Sequence, residues 1–451
     1  MSSLRDLMGD AAERGIRYLE ALGERPVRPD PAVVARLGEL DQPLPEGPLD
    51  PAAVLAELDQ YAGATMAITG PRFFGFVMGG VLPAAQAANW LAGAWDQNAG
   101  HAPAIPLAAR VEEVALRWLV EALGLPEGTG AGFVTGATVA NFSCLLAARH
   151  AVLEAAGWDV EADGLFGAPP VTVIVGEEAH PTLGKSLGMA GFGRNRVVRV
   201  PVDGQGRMRA DALPPINGPT ILCLQAGNIN TGAFDPAAEI IPAVKAAGAW
   251  VHVDGAFGLW AAATPRYAHL MAGFIEADSW ATDAHKYLNT PYDSGLAFVR
   301  RPEALRAAMA ITAAYLPASE QRNPPDYTPE LSRRARGIEV WAALRSLGRA
   351  GVAELVDRTC RHATRFAEGL GAAGYDVLND VVLNQVLVSF GDADHTRRVI
   401  AGIQADGTCW VGPTVWQGHT AMRISICGWS TTEEDVERSL AAMIRVARET
   451  A

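Results

Sequence analysis

The sequence predicts an α/β fold, a mostly parallel sheet with helices on both faces, followed by a smaller α+β C-terminal unit. Three observations carry this. The apolar runs at 171–175, 220–224 and 249–254 are continuous rather than alternating, as strands buried on both faces are. Helical stretches separate them, which is the pattern of crossover-linked parallel strands. Five polar side chains, Thr138, His180, Asn228, Asp254 and Lys286, stand just after strands, the edge at which such sheets bind ligands.

The elements follow in order. Leu4, Leu7, Met8, Ala11, Ala12 and Ile16 recur at helical spacing over 2–22, and proline-rich links follow at 25–31 and 43–45. This stretch is too poor in core residues to stand alone, so residues 1–65 are expected to form a helical arm on another surface. An aromatic segment, 71–76, precedes helices near 83–95 and 105–123, the latter stopped by Gly124 and Pro126. Between them lies a polar loop, 96–103. Strand 133–135 turns through Gly136, Ala137 and Thr138 into a helix through Arg149. Strands near 171–175, 196–202, 220–224, 249–254, 279–285 and 296–299 complete the sheet, with a helix at 236–248. The stretch 315–329 is polar and aperiodic, a lid or an inert crossover. A helix over 336–347 closes a large domain expected at 66–345, and 346–451 is the smaller one. Ser430-Thr431-Thr432-Glu433-Glu434 reads as a capping start for its last helix.

Composition narrows the class. Hydrophobic residues make 49% and charged residues 19% of 451, as in ordinary globular enzymes. A net charge of −13 argues against nucleic acid and anionic membranes as partners. Five scattered cysteines without a C-x-x-C pair are expected to be buried reduced thiols, with no structural zinc. No leader or membrane-length apolar run is evident, so a cytoplasmic location is expected.

The chemistry turns on Lys286. An ammonium ending an apolar run is costly unless paired or deprotonated, and a neutral amine is what a Schiff base to an aldehyde requires. Taken alone, a lysine that buries its stem and sends its head to water is the commoner case. Its company changes that balance. Pyridoxal 5'-phosphate needs an amine, a carboxylate at its ring nitrogen, a phosphate cradle and a flat group against its ring. Lys286, Asp254, the Gly136-Ala137-Thr138 turn at a helix start and His180 supply one each. Ala256, two residues beyond Asp254, leaves room on the other ring face; His285 and Asn228 are further cofactor candidates. No P-loop or dinucleotide glycine pattern is present.

His252-Val253-Asp254-Gly255-Ala256, Asp283-Ala284-His285-Lys286, Glu178-Ala179-His180-Pro181-Thr182 and Leu331-Ser332-Arg333-Arg334 resemble motifs of the group II pyridoxal-phosphate-dependent amino acid decarboxylases. The resemblance runs from about residue 71 to the end of the smaller domain. It implies a fold type I homodimer with active sites at the subunit interface, converting an L-amino acid to its amine and CO2. It also implies roles: Lys286 as the imine-forming amine, Asp254 at the ring nitrogen, His180 stacked on the ring, and Ala137, Thr138 and His285 at the phosphate. Tyr327, before Leu331, falls where the family keeps a mobile proton donor; His180 is the alternative donor.

Departures concern the substrate. Phe76 and Gly79 stand where the family often has an aromatic hydroxyl and a threonine, and Tyr287 replaces the usual tryptophan after the lysine. Phe76 and His101 are the candidate substrate contacts, although a lone histidine in such a loop is more often structural. An aromatic amino acid is the favoured substrate, with acidic and aliphatic ones as alternatives. Aldol cleavage, oxidative deamination to an aldehyde and transamination share Lys286 and Asp254 and form the alternative reading. Arg423 would suit transamination as a carboxylate clamp; a salt-bridged structural arginine is the simpler expectation. A catalytically dead binding module would have no use for Lys286, Asp254 and His180 together.

Overall fold

The computed structural model describes residues 3–310 and 322–450. Seven strands form the main sheet: β1 (Gly130–Val134), β2 (Thr172–Gly176), β3 (Val198–Val200), β4 (Thr220–Gln225), β5 (Trp250–Asp254), β6 (Ser279–Asp283) and β7 (Gly295–Val299). Their order is β1-β7-β6-β5-β4-β2-β3. β7 runs against both its neighbours, and the other pairings are parallel. Every residue of β1, β5, β6 and β7 is buried, which accounts for the unbroken apolar runs of β1 and β7; β5 and β6 bury His252, Asp254, Ser279, Thr282 and Asp283 among their apolar residues.

The two faces have separate cores. On one, helix Ala137–Glu154 packs Ala140, Cys144 and Ala148 against Trp250, Ala281 and Ala297. On the other, Val251, Val253, Trp280 and Phe298 meet Leu116, Leu119, Ile240 and Val340 from helices Pro106–Ala122, Ala237–Ala246 and Gly337–Ala372. Strand side chains alternate between faces. His252 and Asp254 therefore lie on the Trp250 side, and Ser279 and Asp283 share it with Ala281. β1, β2, β4, β5 and β6 run in one direction, so their carboxyl ends gather the following turns at one edge.

A second, antiparallel sheet has the order β10-β11-β9-β8, from β8 (Asp376–Val377), β9 (Gln385–Ser389), β10 (Gly412–Trp416) and β11 (His419–Ser425). Helices Ala393–Asp406 and Glu433–Glu449 join Val386, Met422 and Ile424 in its core. The last helix starts at a capping box of Thr432 and Asp435. Asp435 also pairs at 3.0 Å with buried Arg72, tying the 71–76 segment to this sheet.

The helix expected to end at 347 does end there: Gly348, with φ 59° and ψ −178°, is not helical and separates it from a second helix that runs on to Ala372. Glycine tolerates that left-handed value, so the chain turns there and resumes its helix. Of the stretch 315–329, residues 315–321 lie outside the described residues, and Pro324–Tyr327 forms a short 3-10 turn. The N-terminal helix, Leu4–Glu20, has no buried residue and leaves Leu4, Met8 and Ile16 exposed. All five cysteines are unpaired and buried. Among the described residues, no helix is long and apolar enough to cross a membrane, and no group of side chains could hold a metal ion.

Candidate active site

A cavity of about 300 Å³ opens where β1, β2, β4, β5 and β6 end. Gly136, Ala137, Thr138, His180, Asp254, Ala256, His285 and Lys286 all line it, so the structure brings eight sequence-predicted residues together. Thr135, Thr182, Gln225, Gly227, Ile229, Phe257 and Asp283 complete the wall.

The end of helix Ala137–Glu154 is built to receive an anion. Its first N–H, of Ala137, donates to Asp283 Oδ1 at 2.6 Å. The next two, of Thr138 and Val139, have no partner among the described residues. The turn can sit this close to the sheet because residue 295 is glycine: a Cβ there would overlap the Gly136 backbone. His285 closes the same corner. Its Nδ1 accepts from the Ser294 N–H at 3.1 Å and its Nε2 lies 3.6 Å from Asp283 Oδ1. Burial holds its pKa below the usual histidine value, with Asp283 opposing.

Lys286 stands three residues past the end of β6, and its Nζ pairs with Asp283 Oδ2 at 2.9 Å. The ammonium is thus paired rather than left bare in the interior. Gly79 packs against the Lys286 backbone so closely that a Cβ would overlap its carbonyl oxygen. That contact explains why a threonine has no room at this position.

Asp254 ends β5 and is buried. Its Oδ2 accepts from Asn141 Nδ2 at 3.1 Å and its Oδ1 from the Ala256 N–H at 3.3 Å. Burial pushes its carboxyl above the usual range, opposed by the charges of His180 and Lys286 and by the Asn141 hydrogen bond. His180 caps helix Pro181–Met189: its Nδ1 accepts from the Thr182 N–H at 3.3 Å and meets Thr182 Oγ1 at 2.6 Å. Burial lowers its pKa, although Asp254 opposes. A neutral ring accepting at Nδ1 carries its proton at Nε2.

Four predicted residues stand off this cavity, and Ala256 reaches it by another route. Asn228 turns its amide into the protein, where Oδ1 accepts from the Asn230 and Thr231 N–H groups and Nδ2 reaches Glu178 at 3.4 Å. Tyr327 lies beside β1 with the Arg322 guanidinium 4.3 Å over its ring. Phe76 is exposed and stacks on Trp410 at 5.2 Å; His101 starts a short turn away from the cavity. Ala256 lines the cavity from a turn, because β5 stops at Asp254 and the strand alternation does not extend to it. The expected salt bridge of Arg423 is absent among the described residues. Its side chain is half-buried and its pKa lowered by burial alone, within electrostatic reach of His180.

Sequence reasoning missed Asp283, Asn141 and Gln225. Asp283 lay inside a quoted motif, and β6 alternation from buried Ser279 would have pointed it to the Asp254 face. Asn141, one turn into a helix, carried no local signal.

Residues 38–390 match the family model of the pyridoxal-dependent decarboxylase conserved domain. Over 417 residues the chain is 28% identical to tryptophan decarboxylase 1 of Oryza sativa subsp. japonica, covering 83% of this chain and 80% of that protein. It is 28% identical to the L-2,4-diaminobutyrate decarboxylase of Rhizobium meliloti (strain 1021), covering 92% and 85%. The crystal structure of the Oryza sativa TDC with PLP and tryptamine superposes with a TM-score of 0.90 at 22% identity, over 99% of this chain and 98% of that one.

Proposed function

The chain belongs to the pyridoxal-dependent decarboxylase family, its cofactor is pyridoxal 5'-phosphate, and from that premise we propose that it converts an L-amino acid to the corresponding amine and CO2. The observation carrying this is the meeting of the Lys286 amine, the Asp254 carboxylate and the His180 ring on one cavity at a helix N-terminus. The residues suit the group: an anion-receiving helix end with two open N–H donors, a paired lysine and a buried acceptor carboxylate. Gly136, Ala137, Thr138 and His285 would hold the phosphate, Asp254 the ring nitrogen, and Lys286 the aldehyde carbon. When bound, the cofactor supplies an electron sink for the bond that breaks at the substrate's Cα.

The chain's own residues do the rest. Asp283 is the counter-charge that Lys286 must leave to react. Asp254, accepting from two N–H groups, stays oriented toward the cavity. Arg423, half-buried without an anion among the described residues, is placed to orient a substrate carboxylate. His180 in its imidazolium form, with Nδ1–H donating to Thr182 Oγ1, can deliver the Nε2 proton to Cα and return to the neutral ring. Phe257 and Ile229 keep part of the wall apolar and exclude water.

An aromatic substrate is favoured, in keeping with the apolar wall and with the tryptophan decarboxylase among the relatives; the diaminobutyrate decarboxylase marks the competing class. The alternative, decarboxylation with oxidative deamination that releases CO2, an aldehyde and ammonia with dioxygen as the oxidant, keeps one supporting observation: Tyr327, the expected proton donor, stands off the cavity. Screening the twenty amino acids for CO2, ammonia and keto acid tests both. CO2 without ammonia is expected; CO2 with ammonia selects the alternative, and keto acid without CO2 overturns the decarboxylase reading.

We also propose a homodimer. Leu4, Met8, Ile16, Trp90, Leu91 and Trp95 leave a broad apolar surface on the N-terminal helix and on helix Pro83–Trp95. In such an assembly Phe76, His101 and Tyr327, each off its own cavity, are the candidates to complete a neighbour's site.

A further inference from the structure

Beneath Asp254 a chain of buried polar groups crosses from sheet to helix and back. Trp250 Nε1 donates to Ser279 Oγ at 2.9 Å, and Ser279 Oγ meets His252 Nδ1 at 2.9 Å. His252 Nε2 meets Asn141 Oδ1 at 2.8 Å, and Asn141 Nδ2 donates to Asp254 Oδ2 at 3.1 Å. Register builds it: His252 lies opposite Ser279 across the β5–β6 pair, and Trp250, His252 and Asp254 share a strand face. Helix Ala137–Glu154 lays Asn141 over that face.

We propose that Asn141 and His252 are positioning residues for Asp254, and that Trp250 sets the direction of a hydrogen-bond chain that favours the ionised carboxylate. The proposal rests on the cofactor reading above for its consequence, though not for its geometry. An indole N–H donates and never accepts, so Ser279 Oγ accepts at that end. The Ser279 hydroxyl proton then goes to His252 Nδ1. A neutral His252 therefore carries its proton at Nε2 and gives it to Asn141 Oδ1. Asn141 is left with its NH₂ facing Asp254 Oδ2, which must be an acceptor. Run backwards, a proton on Asp254 Oδ2 would be donated to Asn141 Oδ1, turn the amide to His252 Nε2 and put the imidazole proton on Nδ1. Ser279 Oγ would then face two donors, and its own proton would have no acceptor among the described residues. An unsatisfied buried hydroxyl is costly, so the tryptophan end biases the carboxylate end.

The test has two readouts on the full-length chain. Long-range ¹H–¹⁵N correlation on ¹⁵N-histidine protein without cofactor should place the His252 proton on Nε2, and Ser279→Ala should mix the tautomers. Pyridoxal 5'-phosphate binding, followed by absorbance, should weaken about tenfold or more in Asn141→Leu and His252→Phe, the loss expected for a hydrogen bond to a charged acceptor. His252→Gln, which restores an N–H at the Nε2 position, should bind within about threefold of wild type by the same arithmetic. A wild-type proton on Nδ1 overturns the proposal, as does equal cofactor affinity in the folded Phe and Gln variants. Should His252→Phe fail to fold, Ser279→Ala decides: unchanged tautomer and unchanged affinity overturn the proposal. A wild-type chain that binds no cofactor would sink the cofactor reading while leaving the tautomer result to stand.

Discussion

Lys286 and Asp283 hold each other in the interior, and the pair sets what a substitution at either does. Lys286→Ala should abolish the absorbance near the visible edge that added pyridoxal phosphate produces, while the melting transition persists. Retention of that band would remove Lys286 as the attachment point. His252 gives a pH prediction. Burial holds its pKa down to about 3, against about 6.5 unfolded. Between those values the unfolded chain binds the extra proton, so the folded state loses stability as pH falls from about 6.5 toward 3. His180 and His285, also lowered, act in the same sense. Asp235, pushed up to about 6 by burial, acts oppositely between about 6 and its ordinary value of about 3.9. His252→Gln should therefore lose less stability than wild type between pH 7 and pH 5 in chemical denaturation. Parallel losses would contradict a buried neutral imidazole.

At the scale of elements, one carboxylate joins three segments. Glu112, buried in helix Pro106–Ala122, pairs with Arg333 at 2.8 Å and Arg322 at 2.9 Å. Burial works against its charge, but the two arginines outweigh it and hold the carboxyl below the usual range. Arg322 also donates to the Ala131 carbonyl in β1 and covers Tyr327. Glu112→Gln leaves the buried Arg333 without a counter-ion, and a loss of about 3–5 kcal/mol is expected by urea denaturation. A loss below about 1 kcal/mol would show that water or rearrangement satisfies Arg333. Gly295→Ala acts at the other end of the β1–β7 pair, displacing the Gly136 turn. Cofactor affinity should fall more than thermal stability does, since the turn is at the cavity and the core is not.

For the whole molecule, the proposed homodimer sets the apolar faces of the first helix and of helix Pro83–Trp95 between two chains. Trp90→Glu with Trp95→Glu should shift the light-scattering mass from two chains to one; an unchanged mass would place the interface elsewhere. Tyr327→Phe should divert flux from amine toward aldehyde and ammonia, and unaltered products would remove Tyr327 as proton donor. If Tyr327 serves a neighbour's cavity, mixing inactive Lys286→Ala with Tyr327→Phe restores amine formation, because one site of each mixed dimer has both residues intact. No restoration assigns the proton to the same chain, with His180 as its carrier.

The sequence by itself determined the strands, the helices and the residues that end the strands, because periodicity and turn chemistry act over a few neighbours. It therefore brought Lys286, Asp254, His180 and the Gly136-Ala137-Thr138 turn to one edge. Tertiary structure alone decided which side chains touch. Asn141 meets Asp254 across 113 positions, Asp283 reaches Ala137 across 146, and Arg333 meets Glu112 across 221. Tyr327 and Asn228 are drawn off the cavity by partners of their own, Arg322 for the one and the 228–231 turn for the other. Such pairings depend on strand register and on how a helix is rotated over a sheet, and no window of neighbouring residues encodes either.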